Sequence, residues 1–149
     1  MIRTWWASGA AADVHMVHIA PRYPTTEGET DVAELIEKPM RIPVPGGKLI
    51  DEYVGLANTG ERRVSVARMT APGGWVEPAQ EPEFDEITFV LRGCVRVEHP
   101  DGVFDVRAGQ AAVTRAGERV RYTTPEEDGA EYVAICLPAF TAEAARRAG

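Results

Sequence analysis

The sequence predicts an all-β domain, and three observations support this fold class. From Met40 onwards, short apolar or alternating runs recur, as is typical of the strands of a sandwich or barrel. Turn residues separate these runs, including the pairs Gly46-Gly47 and Asp101-Gly102. The composition agrees, because the 149 residues include 14 Gly and 11 Pro, which suit a fold with many tight turns. This length predicts a single domain with one hydrophobic core.

The chain divides into three parts. Residues 1–38 form an N-terminal arm without clear periodicity, residues 39–140 carry the strand pattern, and residues 141–149 indicate a short C-terminal helix. Strands are predicted in nine runs, which are KLIDEYVGLA, RRVSVARMTA, GWVEP, EITFVLRG, CVRVEH, VFDVR, QAAVTRA, RVRYTT and EYVAICL.

Local signals refine two of these elements. Asp101 and Gly102, between CVRVEH and VFDVR, predict a hairpin with a type I′ turn, since both residue types tolerate positive φ angles. In the C-terminal helix, Thr141 suits the N-cap, and Arg146 and Arg147 suit the last turn, where positive charge is favourable.

The run Ile87 to Leu91 is apolar at almost every position, which is not typical of a strand with one face in water. We therefore expect a second layer over its outer face. Either the N-terminal arm or a partner subunit could supply that layer, and we predict a homodimer.

The composition limits the classes of partner and location. The formal net charge is -7, so a basic stripe for phosphate groups is missing, and neither nucleic acid nor a membrane is an expected partner. A small-molecule ligand fits better. The N-terminus has no apolar stretch suited to a secretion signal, which predicts a cytoplasmic protein. Cys94 and Cys136 lie in apolar runs, which favours buried free thiols over a disulfide.

The stretch Gly74 to Gly93 resembles the first signature of the cupin family in its spacing. Five residues separate Gly74 from Gln80, and one residue separates Gln80 from Pro82. Three residues then precede Glu86, and six more precede Gly93. In metal-binding cupins the positions of Gln80 and Pro82 are histidines, and that of Glu86 is a glutamate.

The second cupin signature is matched in spacing from Gly109 to Thr124. Its proline position holds Arg115, its second glycine is Gly117, and its histidine position holds Val120. The resemblance implies a double-stranded β-helix, the cupin jelly-roll barrel. Of the positions that hold the metal ligands in metal-binding cupins, only Glu86 carries a ligand of the usual type here. We therefore expect no metal and no other cofactor.

The segment GWVEPAQEPEFDE is also similar to a metal-poor branch of small cupins, the ethanolamine-utilisation type. In that branch, carboxylates and tyrosines replace the histidines. This similarity implies a barrel whose chemistry depends on carboxyl and hydroxyl groups.

Five carboxyl groups lie within ten residues, at Glu77, Glu81, Glu83, Asp85 and Glu86, with no Lys or Arg among them. The resemblance directs Glu86 into the barrel, where burial and neighbouring carboxylates would raise its pKa. A carboxyl in that state suits a general acid or base. We interpret Glu81 and Glu83 as parts of a solvated loop.

Four further residues complete the predicted site. Period 2 places Tyr122 on the same face as Val120, so Tyr122 is a candidate catalytic donor towards the ligand. Gln80, which could hold a carbonyl, is a candidate substrate-binding residue, as are Glu77 and Trp75 at the barrel mouth. For each, a purely structural role is the alternative, such as a core aromatic or a wall glutamine.

The three histidines are weak candidates. His15 and His18 form an HxxH pattern in the arm, where nothing fixes their direction. His99 precedes the hairpin turn, and we expect it to be solvated.

These observations favour an enzyme that performs acid/base chemistry without a metal, as a cyclase, isomerase or dehydratase (a lyase) in specialised metabolism. A non-catalytic sensor or carrier is the alternative. A third hypothesis keeps an atypical metal on Glu86 with Gln80, His15 or His18. The sequence does not name the substrate.

Overall fold

The computed structural model describes residues 33–148, and its regular elements are all strands. The strands are β1 (Met40–Ile42), β2 (Leu49–Val54), β3 (Ser65–Ala71), β4 (Asp85–His99), β5 (Gly102–Arg107), β6 (Ala111–Thr114), β7 (Arg121–Thr123) and β8 (Ala130–Leu137). Among the described residues there is no helix long and apolar enough to cross a membrane.

Two antiparallel sheets share strand β4. The first half of β4 pairs with β8 and β6, in a sheet ordered β1-β2-β3-β8-β4-β6, which we call sheet A. The second half pairs with β5 and β7 in sheet B. The 15 residues of β4 therefore connect the two sheets into one jelly-roll barrel, as the sequence predicts.

The inner faces of the strands form the core. Its largest cluster contains valines that are at most 2% exposed, such as Val90, Val97 and Val120, together with alanines and two tyrosines. Cys94 and Cys136 are buried free thiols, which confirms the prediction made from their apolar surroundings.

The run GWVEP does not form a regular strand. Residues 74–80 run antiparallel to residues 120–124 and make isolated bridges, Val76 with Thr123 and Gln80 with Val120. The backbone pairing is nevertheless close, since Gln80 N and Val120 O are 2.9 Å apart. This segment lies across one part of the barrel wall.

The β4–β5 hairpin forms where predicted, but its turn type differs. His99 pairs directly with Gly102, so the loop residues are Pro100 and Asp101. Gly102 has a φ of 151°, whereas Asp101 is not among the residues with positive φ, so the type I′ prediction is wrong. The cause is Pro100, whose fixed negative φ sets the first turn position and moves the turn back by one residue.

The predicted C-terminal helix is also wrong, because residues 142–145 form a single turn. Thr141 Oγ1 accepts the expected hydrogen bond from Ala144 N at 3.0 Å. The helix does not continue because the following backbone pairs with the barrel: Arg147 bridges Gln80, and Ala148 N donates to Ala79 O at 2.8 Å.

Sheet A has an apolar outer face in the described structure. Val113, Ile87, Ile135 and Val66 align as one row across β6, β4, β8 and β3. Val113 in this row is 50% exposed, and Phe89 in the next row is 40% exposed. The second layer expected over this face, from the arm at residues 1–38 or a partner, remains a prediction, and residues 1–32 lie outside the described range.

We expect this face to mediate the predicted homodimer, because burial of several exposed apolar side chains is the main favourable term in association. Light scattering at micromolar concentration should give the mass of a dimer. Phe89→Glu should shift it to that of a monomer, whereas the matched change Val103→Glu, on exposed β5 of sheet B, should not. A monomeric wild-type protein would contradict the prediction.

Two glycines, Gly93 and Gly129, allow neighbouring segments of the chain to pack backbone against backbone. Gly93 has a φ of 77°, and a Cβ there would lie 2.1 Å from Gly129 O. Gly129 itself approaches Ala71 O, with a φ of 68°. Position 93 therefore needs a glycine for two reasons: its φ is positive, and the backbone at Gly129 leaves no space for a Cβ.

We predict that Gly93→Ala destabilises the fold by at least about 3 kcal/mol, since it adds a backbone clash to the strain of a positive φ. Gly109→Ala is the matched control, because Gly109 also has a positive φ, of 82°, but faces open space. It should cost only about 1 kcal/mol. Urea unfolding measures both, and equal losses would show that the clash is unimportant.

Candidate active site in the barrel

A small cavity lies inside the barrel between β2, β3, β4, β8 and the segment 74–80. Its volume is about 30 Å³, enough for about one or two water molecules. A wider pocket of about 450 Å³ lies outside it, within the size range of sites for small organic ligands. Lys48, Ile50, Glu77 and Arg147 line both spaces and so form the boundary between them.

The structure brings four of the predicted residues to the inner cavity. Gln80, Glu86, Tyr122 and Glu77 all line it, and each is at most 8% exposed. Trp75 is half-buried and lines the outer pocket instead. The five residues therefore lie around two connected spaces, and their functional roles remain predictions.

Glu86 lies on the first half of β4 with its side chain in the barrel. Burial and the nearby carboxylate of Glu77 raise its pKa to about 7, although Lys48 and Arg147 act in the opposite direction. Near neutral pH this carboxyl is present in both its protonated and its ionised form, so it can either donate or accept a proton.

The acidic stretch divides into inward and outward groups. Glu77 and Glu86 are buried, whereas the other three carboxylates lie on the outside with arginines supplied by later parts of the chain. These pairs are Glu81 with Arg119 at 3.5 Å, Glu83 with Arg146, and Asp85 with Arg115 at 2.9 Å. The expected mutual influence of carboxyl groups is thus confined to the inward pair.

Lys48 is a site residue that the sequence reading missed. It directly precedes β2 and is 6% exposed, with Nζ 3.8 Å from Glu77 Oε1 and 4.1 Å from the ring centroid of Trp75. Burial lowers the pKa of Lys48, but its interactions with Tyr132 and with the Glu77 carboxylate outweigh this effect, so the net shift is upwards and the amine stays protonated. A signal was present, because Lys38 and Lys48 are the only lysines among 16 Lys and Arg residues.

Arg147 was assigned to the end of a helix, but it reaches the barrel instead. Its Nη2 donates to Glu77 Oε1 at 3.1 Å, and its side chain is 31% exposed. The bridge between Arg147 and Gln80 holds the backbone in place. No local sequence pattern indicates this contact, since 70 residues separate Arg147 from Glu77.

Two tyrosines lie on the cavity wall. The Tyr122 hydroxyl is 2.9 Å from Thr114 Oγ1, and burial followed by the charge of Glu86 raises its pKa well above the ordinary value. Tyr122 therefore remains a neutral hydroxyl that can donate a hydrogen bond. Tyr132, whose direction could not be predicted, is 2% exposed, and its ring centroid is 5.6 Å from Lys48 Nζ.

A third buried carboxylate, that of Glu52, accepts hydrogen bonds from the backbone. Its Oε1 accepts hydrogen bonds from Ala57 N at 2.9 Å and Asn58 N at 3.2 Å, which stabilises the turn after β2. Gly55 packs so close that a Cβ there would lie 2.5 Å from the Glu52 carboxyl carbon. Glu52 is therefore a structural residue at the edge of the cavity.

The side chains present do not fit the usual metal site of cupins. Of the four matching positions, Pro82 and Val120 have no ligating side-chain atom, Gln80 offers only an amide oxygen, and only Glu86 keeps the residue type of the metal site. Within residues 33–148 no group of three or more His, Cys, Asp or Glu side chains could hold a metal ion. His15 and His18 lie outside the described residues.

His99 is less solvated than predicted. Its ring centroid is 5.4 Å from that of Phe104, and Nδ1 is 3.9 Å from Glu118 Oε1. It packs across the hairpin on the outside of the barrel, because β5 places Phe104 beside it, and it does not line the cavity.

Solved structures identify the class of fold. A variant of oxalate decarboxylase from Bacillus subtilis aligns with a TM-score of 0.67 at 16% identity, over 80% of this chain and 33% of its own. KdgF from Halomonas sp. aligns with a TM-score of 0.58 at 17% identity, over 68% of this chain and 89% of its own. The EutQ protein of Clostridium difficile aligns with a TM-score of 0.53 at 16% identity, over 62% of this chain and 63% of its own. The chain has the cupin fold, as its spacing predicts.

Sequence comparison finds a similarity to part of a longer protein. Over 110 residues, which are 74% of this chain, the sequence is 41% identical to the endoribonuclease YbeY of Myxococcus xanthus. It spans only 37% of that protein's length. No protein-family model matches the chain.

The raised pKa of Glu86 predicts a pH-dependent stability. Its pKa is 4.5 in the ordinary state and about 7 in the fold, so between these values the folded protein binds more protons than the unfolded chain. The free energy of unfolding therefore falls as pH rises through this window, by on the order of 3 kcal/mol from this group.

Glu86→Gln should remove this fall, which urea unfolding at about pH 5 and about pH 8 would show. Glu83→Gln, an exposed control, should keep the wild-type difference. An identical pH dependence in wild type and Glu86→Gln would contradict the raised pKa.

Proposed function

We propose that this cupin is an enzyme that uses Glu86 for proton transfer on a small organic substrate, with no metal in the reaction. The observation that carries the proposal is a carboxyl group with a pKa of about 7 on the wall of a largely enclosed cavity. Such a group is close to the optimum for general acid or base catalysis at neutral pH.

The neighbouring groups support this chemistry. Tyr122 supplies a neutral hydroxyl and Gln80 a side-chain amide, and both can orient a carbonyl or stabilise an enolate oxygen. As a base, Glu86 would take a proton from carbon while the electron pair moves to the carbonyl oxygen. As an acid, it would return a proton to carbon or to a leaving hydroxyl, which covers isomerisation, cyclisation and dehydration.

The substrate must pass the boundary between the outer pocket and the inner cavity. Lys48, Glu77 and Arg147 form this boundary, so catalysis requires their side chains to move when the substrate binds. The reacting atom would then lie next to Glu86 in a space that excludes most water. The ethanolamine-utilisation branch and specialised metabolism remain predictions from the sequence.

Non-catalytic binding is the second candidate, and one observation favours it. The outer pocket could hold a ligand on Trp75 without contact to Glu86, which lines only the inner cavity. RNA cleavage is the activity in the name of the longer relative. A net charge of -7 disfavours binding of a phosphate backbone.

Deuterium exchange tests the enzyme proposal. We expect wild-type protein in D2O to exchange the α-protons of phenylacetone or phenylpyruvate faster than buffer, followed by proton NMR. The rate should rise with pH up to about 7 and then level, since only ionised Glu86 acts as a base.

Glu86→Gln should slow this exchange by about 100-fold or more, and the exposed control Glu83→Gln should not. Equal rates for wild type and Glu86→Gln with both compounds would refute proton transfer by Glu86. If both proteins still bound the compounds equally well, the non-catalytic candidate would take its place.

A further inference from the structure

Two cations, the buried Lys48 and the partly exposed Arg147, share one carboxylate oxygen at the boundary between the two spaces. Arg147 Nη2 lies 3.1 Å from Glu77 Oε1, and Lys48 Nζ lies 3.8 Å from the same atom. The side chains of Lys48 and Glu77 are only 4% and 6% exposed. At 3.8 Å the lysine is held by charge attraction rather than by a hydrogen bond of normal length.

The balance of charge at this place is positive. Lys48 and Arg147 bring two positive charges, and Glu77 brings one negative charge. The nearby carboxyl of Glu86 keeps its proton in a large fraction of molecules at neutral pH. The Glu52 carboxylate accepts hydrogen bonds in the turn after β2, and it is not among the main groups that act on the pKa of Lys48. Excess charge in a poorly hydrated place is unfavourable, so an anion entering from the outer pocket would be attracted.

The outer pocket has the shape and lining for the rest of such a ligand. Its walls are largely apolar, from Val44, Pro45, Val76 and Pro78, and Trp75 adds a broad ring beside Lys48. Its volume of about 450 Å³ suits a molecule of the size of a substituted aromatic or short-chain acid. Arg147 also lines this pocket, so its guanidinium is within the ligand's reach.

We infer that the outer pocket binds a small organic acid, with its carboxylate between Lys48 and Arg147 and its apolar body against Trp75. A monoanion matches the site better than a phosphate dianion, because Glu77 already offsets one of the two positive charges. This deepens the proposed function, and depends on it only for the statement that the bound acid is the substrate.

Binding measurements with matched pairs of ligands test the inference. The probes are benzoate, phenylacetate and hexanoate, each compared with its neutral amide, with phenyl phosphate as the dianion. Affinities come from calorimetry or ligand-observed NMR on the full chain. We expect at least one acid to bind about tenfold or more tightly than its amide and more tightly than phenyl phosphate.

Variants connect this preference to the two cations. Arg147→Gln and Lys48→Met should each reduce the affinity for the acid about tenfold or more and leave that for the amide nearly unchanged. Arg146→Gln is the matched control, since Arg146 pairs with Glu83 outside the barrel. Thermal melting shows whether each variant folds. If Lys48→Met does not fold, Arg147→Gln alone tests the inference, because Arg147 is more exposed and its replacement disturbs the fold less.

Three results would overturn the inference: no acid binds more tightly than its amide, phenyl phosphate binds most tightly, or Arg147→Gln binds the acid as the wild type does. Glu86→Gln separates this inference from the proposed function, because it should leave acid binding intact while slowing deuterium exchange. Acid binding without any loss of exchange in Glu86→Gln would refute the enzyme and keep the anion site. The opposite pattern would refute only the anion site.

Discussion

The charge cluster of Lys48, Glu77 and Arg147 is the interaction on which the candidate site depends. The buried ions of Lys48 and Glu77 would each be unfavourable alone, because removal of a charge from water costs several kcal/mol unless a partner compensates. The partly exposed Arg147 adds a second cation for Glu77. Their mutual attraction holds the segment 74–80 and the chain near Arg147 against the barrel. The same three side chains divide the inner cavity from the outer pocket and influence the pKa of Glu86.

Much of the barrel could be predicted from the sequence because its determinants are local. Alternating apolar residues set the strands, and signature glycines such as Gly93 are fixed by backbone geometry that few other residues adopt. The inward direction of Glu86 followed from matched spacing. Where a local rule met a competing one, prediction failed: Pro100 overrode the Asp-Gly turn signal, and pairing with the barrel overrode the helical pattern after Thr141.

The rest of the site could not be predicted because it depends on contacts between distant residues. Arg147 reaches Glu77 across 70 positions of sequence, and no periodicity encodes that distance. The acidic stretch shows the same limit, since the arginines that neutralise its outward members lie elsewhere in the chain. Lys48 could have been suspected from its rarity, because arginine supplies nearly all other positive charge and the two residues are not equivalent in buried sites.

The shared strand β4 also limits how this fold can change during evolution. One residue inserted into or deleted from its middle would reverse the facing of every side chain on one side of the change, in a strand that serves both sheets. Related barrels can therefore vary in length mainly at their loops, such as the one between β2 and β3. The spacing from Glu86 to the β4–β5 hairpin should be among the most constant distances in any lineage that keeps this site.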